Sequence, residues 1–172
     1  GSSRVAAAVR VARGDEGDRA VFLGCGDTLF DFFLESEAGP GAATYAARAG
    51  GSPFNVAIGL ARLGAEAALL AGLSSDMLGQ RLARVLDAEG VSRRYVIPTD
   101  RPTTISLVGL DPKGVPAYQF YDSSDTGVEP SDLPEIGPEV TGLHFGSYTL
   151  AAAPVADAAA VLARANRHRF IS

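Results

Sequence analysis

Short apolar runs alternate with helix-period stretches along most of this chain. Val21 to Cys25, VFLGC, is an unbroken apolar run closed by Gly26 and Asp27, which predicts a buried strand ending at a site-bearing loop. TLFDFF follows and sets Asp31 among aromatics. Gly39 to Gly41 reads as a loop, and Ala42 to Arg48 fits either a short edge strand or a turn of helix. A clearer element comes next. Ser52 suits a helix cap, Pro53 the first helical position and Gly64 the stop, with Val56, Ala57, Leu60, Ala61 and Leu63 as the buried face. Ala67 to Leu70 predicts a strand. A second helix is capped near Ser75 and stops at Gly90, with Leu78, Leu82, Val85 and Leu86 on one face.

Strand, helix, strand, helix argues for a parallel sheet with helices packed on its faces. After Pro102 the pattern changes. Thr103 to Leu110 and Val115 to Tyr121 are extended segments joined by Asp111, Pro112, Lys113 and Gly114, a hairpin that belongs outside a parallel core as a flap or small second sheet. The earlier alternation then returns, with Thr141 to Phe145 as a strand, Pro154 to Asn166 as an alanine-rich helix and Phe170 to Ser172 opening another strand. The expected fold is α/β, a doubly wound, mostly parallel sheet with a small antiparallel lid at 103–121. The expected organisation is an N-terminal extension at 1–20 followed, over 21–172, by the N-terminal part of one such α/β domain that includes the lid hairpin.

Composition narrows the function classes. With 172 residues, 47% hydrophobic, 20% charged and a formal net charge of -5, the chain is globular and shows no clustered basic footprint, so neither nucleic acid nor an anionic membrane is expected as a partner. Cys25 is the single cysteine, which excludes an internal disulfide and suits a reducing cytoplasm. It is expected as a small buried strand residue. No apolar run is long enough to span a bilayer.

Candidate chemistry gathers at Gly50 to Asn55, GGSPFN, where a loop meets a helix N-terminus. Gly50 and Gly51 let backbone approach a ligand, the helix offers free N–H groups, and the Asn55 amide both donates to and accepts from hydroxyls. A hydroxyl-rich ligand suits the motif better than a phosphate, since no lysine or arginine stands in it. Asp31, in aromatic surroundings, needs a partner that paired sugar hydroxyls would supply, although a solvated loop aspartate and a merely structural glycine turn are the competing readings.

The combination GCGDTLFD, GGSPFNVAIGLARLG, AGLSSDMLGQRLARVLDAEGV and TTISLVGLDPKGVPAYQFY resembles the ribokinase-like, or PfkB, carbohydrate kinase family, nearest to its fructokinases, over Val21 to Ser172. The resemblance implies that Asp31, Gly50, Gly51 and Asn55 contact sugar hydroxyls. It also implies that the hairpin closes over the sugar, with Tyr118 and Phe120 on one strand face as candidate covers, and that the hairpin supports a homodimer. ATP and Mg2+ are the implied cofactors. Ser74 and Ser75 depart from the family pattern before Asp76, which is expected to cap or support the second helix instead.

Phosphoryl transfer needs a phosphate cradle and a base, which this family draws from a GAGD-type loop far toward the C-terminus. No such loop occurs in the sequence, and Lys113, the only lysine, lies in the hairpin turn. His144 is expected as a satisfied core histidine and His168 at a helix end, with no metal-ligand spacing around either. The expectation is therefore a cytoplasmic sugar kinase of which this chain carries the sugar site and lid, with no catalytic residue and no metal ligand within it. A 2-keto-3-deoxygluconate kinase or other sugar kinase is one alternative, and a non-catalytic sugar-binding or dimerisation module is another.

Overall fold

A computed structural model describes residues 20–110, 113 and 115–172. In chain order the elements are β1 (Val21–Gly26), β2 (Leu29–Glu37), β3 (Ala43–Gly50), α1 (Ser52–Arg62), β4 (Glu66–Leu70), β5 (Gly72–Ser74) and α2 (Met77–Ala88). Then come β6 (Ile97–Thr99), β7 (Ile105–Leu110), β8 (Pro116–Tyr121), β9 (Val140–Gly146), α3 (Val155–Ala165) and β10 (Phe170–Ile171). Residues 1–19 of the expected extension, and Asp111, Pro112 and Gly114 of the expected turn, lie outside the described residues.

The central sheet has the order β10-β9-β1-β4 and every pair in it is parallel. Strand β4 shows why it is covered twice. Ala67 and Leu69 join Phe54, Ala57, Ile58, Leu82 and Leu86 of α1 and α2 in one core cluster. Ala68 and Leu70 turn the other way and pack with Leu23, Cys25, Val140, Leu143 and Leu162 of α3 in a second. Buried Cys25 is held as a neutral thiol by desolvation, which pushes its pKa well above the usual range. Among the described residues no helix is long and apolar enough to cross a membrane.

Helix α1 lies unusually close to β1. A Cβ built on Gly24 would stand 2.7 Å from the Pro53 carbonyl oxygen, so only glycine lets the two backbones meet there. Burial of Phe54, at 1% exposure, contributes roughly 1.5–3 kcal/mol to that packing. The helix cap differs from expectation. Gly51 is the N-cap, at φ 112, and Ser52 is already helical. The buried face is Pro53, Phe54, Ala57 and Ile58, rotated from the predicted one, and Leu63 is exposed. At α2 the cap is Asp76, whose side chain accepts from the Gly79 amide at 2.7 Å.

The second sheet has the order β3-β2-β7-β8. Its β7–β8 pair is the expected antiparallel hairpin, while β2 pairs with β7 in parallel and with β3 antiparallel. The open choice at 42–48 resolves as an edge strand, and Asp31 stands within β2 of this lid sheet rather than in a loop.

Candidate functional site

Four chain crossings join the lid sheet to the central sheet, and the sugar-site candidates lie at two of them. The β1–β2 connection carries Asp27 and Thr28, and the β3–α1 connection is Gly51, directly after Gly50 at the end of β3. A Cβ on Gly51 would meet the Asp27 carbonyl oxygen at 2.4 Å, so the glycine pair is pressed onto the end of β1. Gly50 pairs with Leu29 in the sheet, and a Cβ on it would meet Asp31 Oδ2 at 2.5 Å. The structure therefore brings Asp31, Gly50 and Gly51 together at one corner.

Asp31 is half-buried, and its expected partner is partly internal. The Ser106 hydroxyl of β7 donates to Oδ1 in a short hydrogen bond, leaving Oδ2 toward Gly50. Arg48, Asp31, Ser106 and Phe120 are successive partners across β3, β2, β7 and β8, so their side chains share one face of the lid. Asn55 sits in the first turn of α1, its side chain exposed and unpaired among the described residues. Its backbone amide donates to the Gly51 carbonyl at 2.9 Å.

The lid aromatics differ in setting. Tyr118 is 57% exposed and stacks at 6.3 Å on half-buried Phe120. Phe120 in turn stacks on Tyr148 with ring centroids 4.5 Å apart. Tyr148 belongs to a short 3-10 turn after β9, and its hydroxyl donates to Asp122 Oδ2 at 2.6 Å, which raises the phenol pKa. This stack links the lid to the carboxyl end of the central sheet. Nothing in the sequence pattern marks Tyr148, because the pairing joins positions far apart in the chain.

Two buried carboxylates were also not legible. Asp27 is 3% and Asp125 1% exposed. Asp27 Oδ1 accepts from the Thr149 amide at 3.1 Å. Asp125 accepts from the Thr28 amide at 3.3 Å, the Thr126 amide at 2.8 Å and, more closely, the Thr104 hydroxyl. Burial raises the Asp125 carboxyl, the Thr104 hydroxyl opposes the rise, and the Asp27 charge adds to it, leaving a pKa of about 6.

The remaining candidates separate. Asp76 does support α2, and it also binds the hairpin base, accepting from the Thr103 amide at 2.7 Å and the Thr103 hydroxyl at 2.6 Å. His144 is not a satisfied core histidine. Half-buried, it has Nδ1 2.9 Å from Ser172 Oγ, while its buried Nε2 has no partner among the described residues. His168 is exposed beyond α3. Among the described residues no three His, Cys, Asp or Glu side chains gather as metal ligands.

The chain thus joins a parallel sheet, covered by helices on both faces, to a second β sheet, with a Gly-Gly corner before α1. Residues 25–168 match the pfkB family carbohydrate kinase pattern, and the chain belongs to that family. It is 37% identical over 155 residues to a fructokinase of Rhizobium leguminosarum bv. trifolii, covering 88% of this chain and 47% of that protein. A fructokinase of Escherichia coli is 34% identical over 122 residues, 69% of this chain and 39% of that one. The crystal structure of a fructokinase from Xylella fastidiosa superposes with a TM-score of 0.79 at 23% identity, over 88% of this chain and 49% of that chain. The chain thus spans about half the length of the relatives it matches.

Proposed function

We propose that the full-length protein is a sugar kinase, transferring phosphate from ATP to a hydroxyl of a sugar, with fructose the leading substrate. Residues 21–172 contribute its sugar side. The reading rests on one observation, the placing of Asp31 Oδ2 against Gly50 at the start of α1, where the Asn55 amide is exposed. An oxygen not engaged by Ser106 and a free amide can bind adjacent hydroxyls, Asp31 accepting and Asn55 both donating and accepting. Gly50 leaves room for the Asp31 carboxylate to stand at the corner, and Phe120 and Tyr118 cover the sugar from the lid. Family membership and the fructokinases among the relatives support the same reading.

ATP and Mg2+ belong to this proposal. The described residues offer no cluster of three metal-ligating side chains and no glycine-rich phosphate cradle, so no step through either group is derived from them. A homodimer through the lid belongs to the same proposal, with Tyr121, 50% exposed, on the lid face opposite Asp31, Ser106 and Phe120. A cytoplasmic site of action follows from dependence on ATP, and neither nucleic acid nor membrane is proposed as a partner.

Arg48 gives a second reading its footing. It stands beside Asp31 on the same lid face, exposed and unpaired among the described residues. A guanidinium there suits a sugar acid such as 2-keto-3-deoxygluconate.

A coupled ATP assay on the full-length protein over a panel of sugars and sugar acids tests both readings. Fructose turnover at high kcat/KM is expected. Asp31→Ala is expected to lower sugar kcat/KM at least about 100-fold and Asn55→Ala about tenfold. Wild-type sugar use by both variants overturns the site. Exclusive use of sugar acids, lost in Arg48→Ala, transfers the assignment to the second reading.

A further inference from the structure

We propose that Asp125 is a positioning residue for the sugar site: its buried carboxylate fastens the lid sheet to the carboxyl end of the central sheet and sets where Asp31 stands over the Gly50–Gly51 corner. This rests on the sugar-binding reading above and assigns a role to a group outside the ligand-facing residues.

Three of the four crossings between the two sheets meet at this carboxylate, and the fourth packs beside them. Its donors come from three of them: Thr28 between β1 and β2, Thr104 just before β7, and Thr126 after β8. The fourth, Gly51 after β3, packs on the carbonyl of Asp27, the residue preceding Thr28. Further bonds tie the same segments to each other. The Ser123 amide donates to the Thr104 hydroxyl at 3.0 Å, the Thr104 amide to Ser124 Oγ at 3.2 Å, and the Phe30 amide to the Thr104 carbonyl at 3.2 Å. Asp31 follows Phe30 directly and Thr28 by three positions, roughly 10 Å of strand, so the placing of Thr28 is carried along β2 to the sugar-binding oxygen.

An ionised carboxylate accepts from all three donors at once, whereas a protonated one turns one oxygen into a donor facing an N–H or O–H. With Asp125 near 6, that change falls within an accessible pH range. The groups around it sharpen the assignment. Asp27 supplies the neighbouring charge. Cys25 lines the same small cavity as a neutral thiol, and α3 presents only Val155, Ala158, Ala159 and Leu162 there. Tyr148, bonded to Asp122, lies within electrostatic reach, and exposed Arg101 rests on Gly127.

The test uses the full-length protein with two readouts, sugar KM from pH 7.5 to 5 and amide hydrogen exchange of Thr28, Phe30, Thr104 and Thr126 over the same range. In the wild type KM is expected to rise about tenfold toward pH 5, with protection of those amides falling in parallel. In Asp125→Asn, KM is expected to be already about tenfold raised at pH 7.5 and flat with pH, with low protection throughout. Wild-type KM at pH 7.5, or a wild-type pH profile, in Asp125→Asn overturns the proposal. So does wild-type protection that ignores pH. If Asp125→Asn does not fold, Thr104→Val removes one donor to Asp125 together with the acceptor of the Ser123 amide; a several-fold rise in KM supports the latch, and an unchanged KM overturns it. A protein that phosphorylates no sugar defeats the kinase reading instead, while the exchange data still decide whether the latch exists.

Discussion

Gly50, the last residue of β3, and Asp31, the third of β2, are so close that a single methyl group on the glycine would stand 2.5 Å from the carboxylate Oδ2. Gly50→Ala is therefore expected to turn the Asp31 side chain away from the corner. Gly50 has no left-handed backbone conformation, so the fold should survive. Sugar KM should rise about tenfold or more while the thermal midpoint stays close to wild type. Steady-state kinetics and a melting curve on the same preparation check this, and an unchanged KM would detach Asp31 from the ligand.

Gly51 is expected to respond in the opposite way. Its φ is 112, and the atom a Cβ would strike at 2.4 Å is the backbone oxygen of Asp27, which has no rotamer to yield. Gly51→Ala should lose roughly 2–4 kcal/mol of stability. Denaturant unfolding measures the loss directly. A cost below about 1 kcal/mol would contradict the tight packing of this crossing.

Asp76→Ala removes a helix cap and two bonds to Thr103, and should cost about 1–3 kcal/mol. The pH dependence has a definite sign. Partial burial opposes ionisation, but the bonds from Gly79, Thr103 and Ser74 outweigh it and hold the carboxyl below its ordinary range. The stability it adds is present above the unfolded-state value of about 3.9 and is lost as pH falls through the lower folded value. In unfolding curves between pH 7 and pH 3, the stability difference between wild type and variant should thus be constant above about pH 5 and begin to narrow as pH falls below about 3.9.

Phe120 and Tyr118 share a strand face but should not share a phenotype. Phe120→Ala breaks the 4.5 Å stack on Tyr148, and should lower stability by about 1 kcal/mol or more and raise sugar KM. Tyr118→Ala alters a ring that is 57% exposed, and its effect on stability should stay within about 0.5 kcal/mol. Equal destabilisation by the two would show that the stack does not anchor the lid.

Periodicity made the helices, the parallel strands and the hairpin legible, because each is a local pattern with its own stops. It left β2 hidden. Leu29 to Phe33 alternates aromatics with a carboxylate and is covered on both faces in part, so neither a clean in-out pattern nor a solid apolar run appears. Alanine-rich β3 is a helix former by propensity, and pairing with β2 makes it a strand. At the candidate site, Asp31 and the glycines stood out by residue type, and the structure brings them to one corner. Asp125 was not, since its meaning comes from Thr28, 97 residues away, and no local signal encodes such a pair.

Strand β1 also sets an order for biosynthesis. It leaves the ribosome before the rest of the sheet, yet both its neighbours, β4 at Glu66–Leu70 and β9 at Val140–Gly146, are made later. Until residue 146 has emerged, one edge of this strand has no partner. A nascent chain in that interval exposes an unpaired strand edge, and chaperone occupancy should fall once residue 146 has emerged.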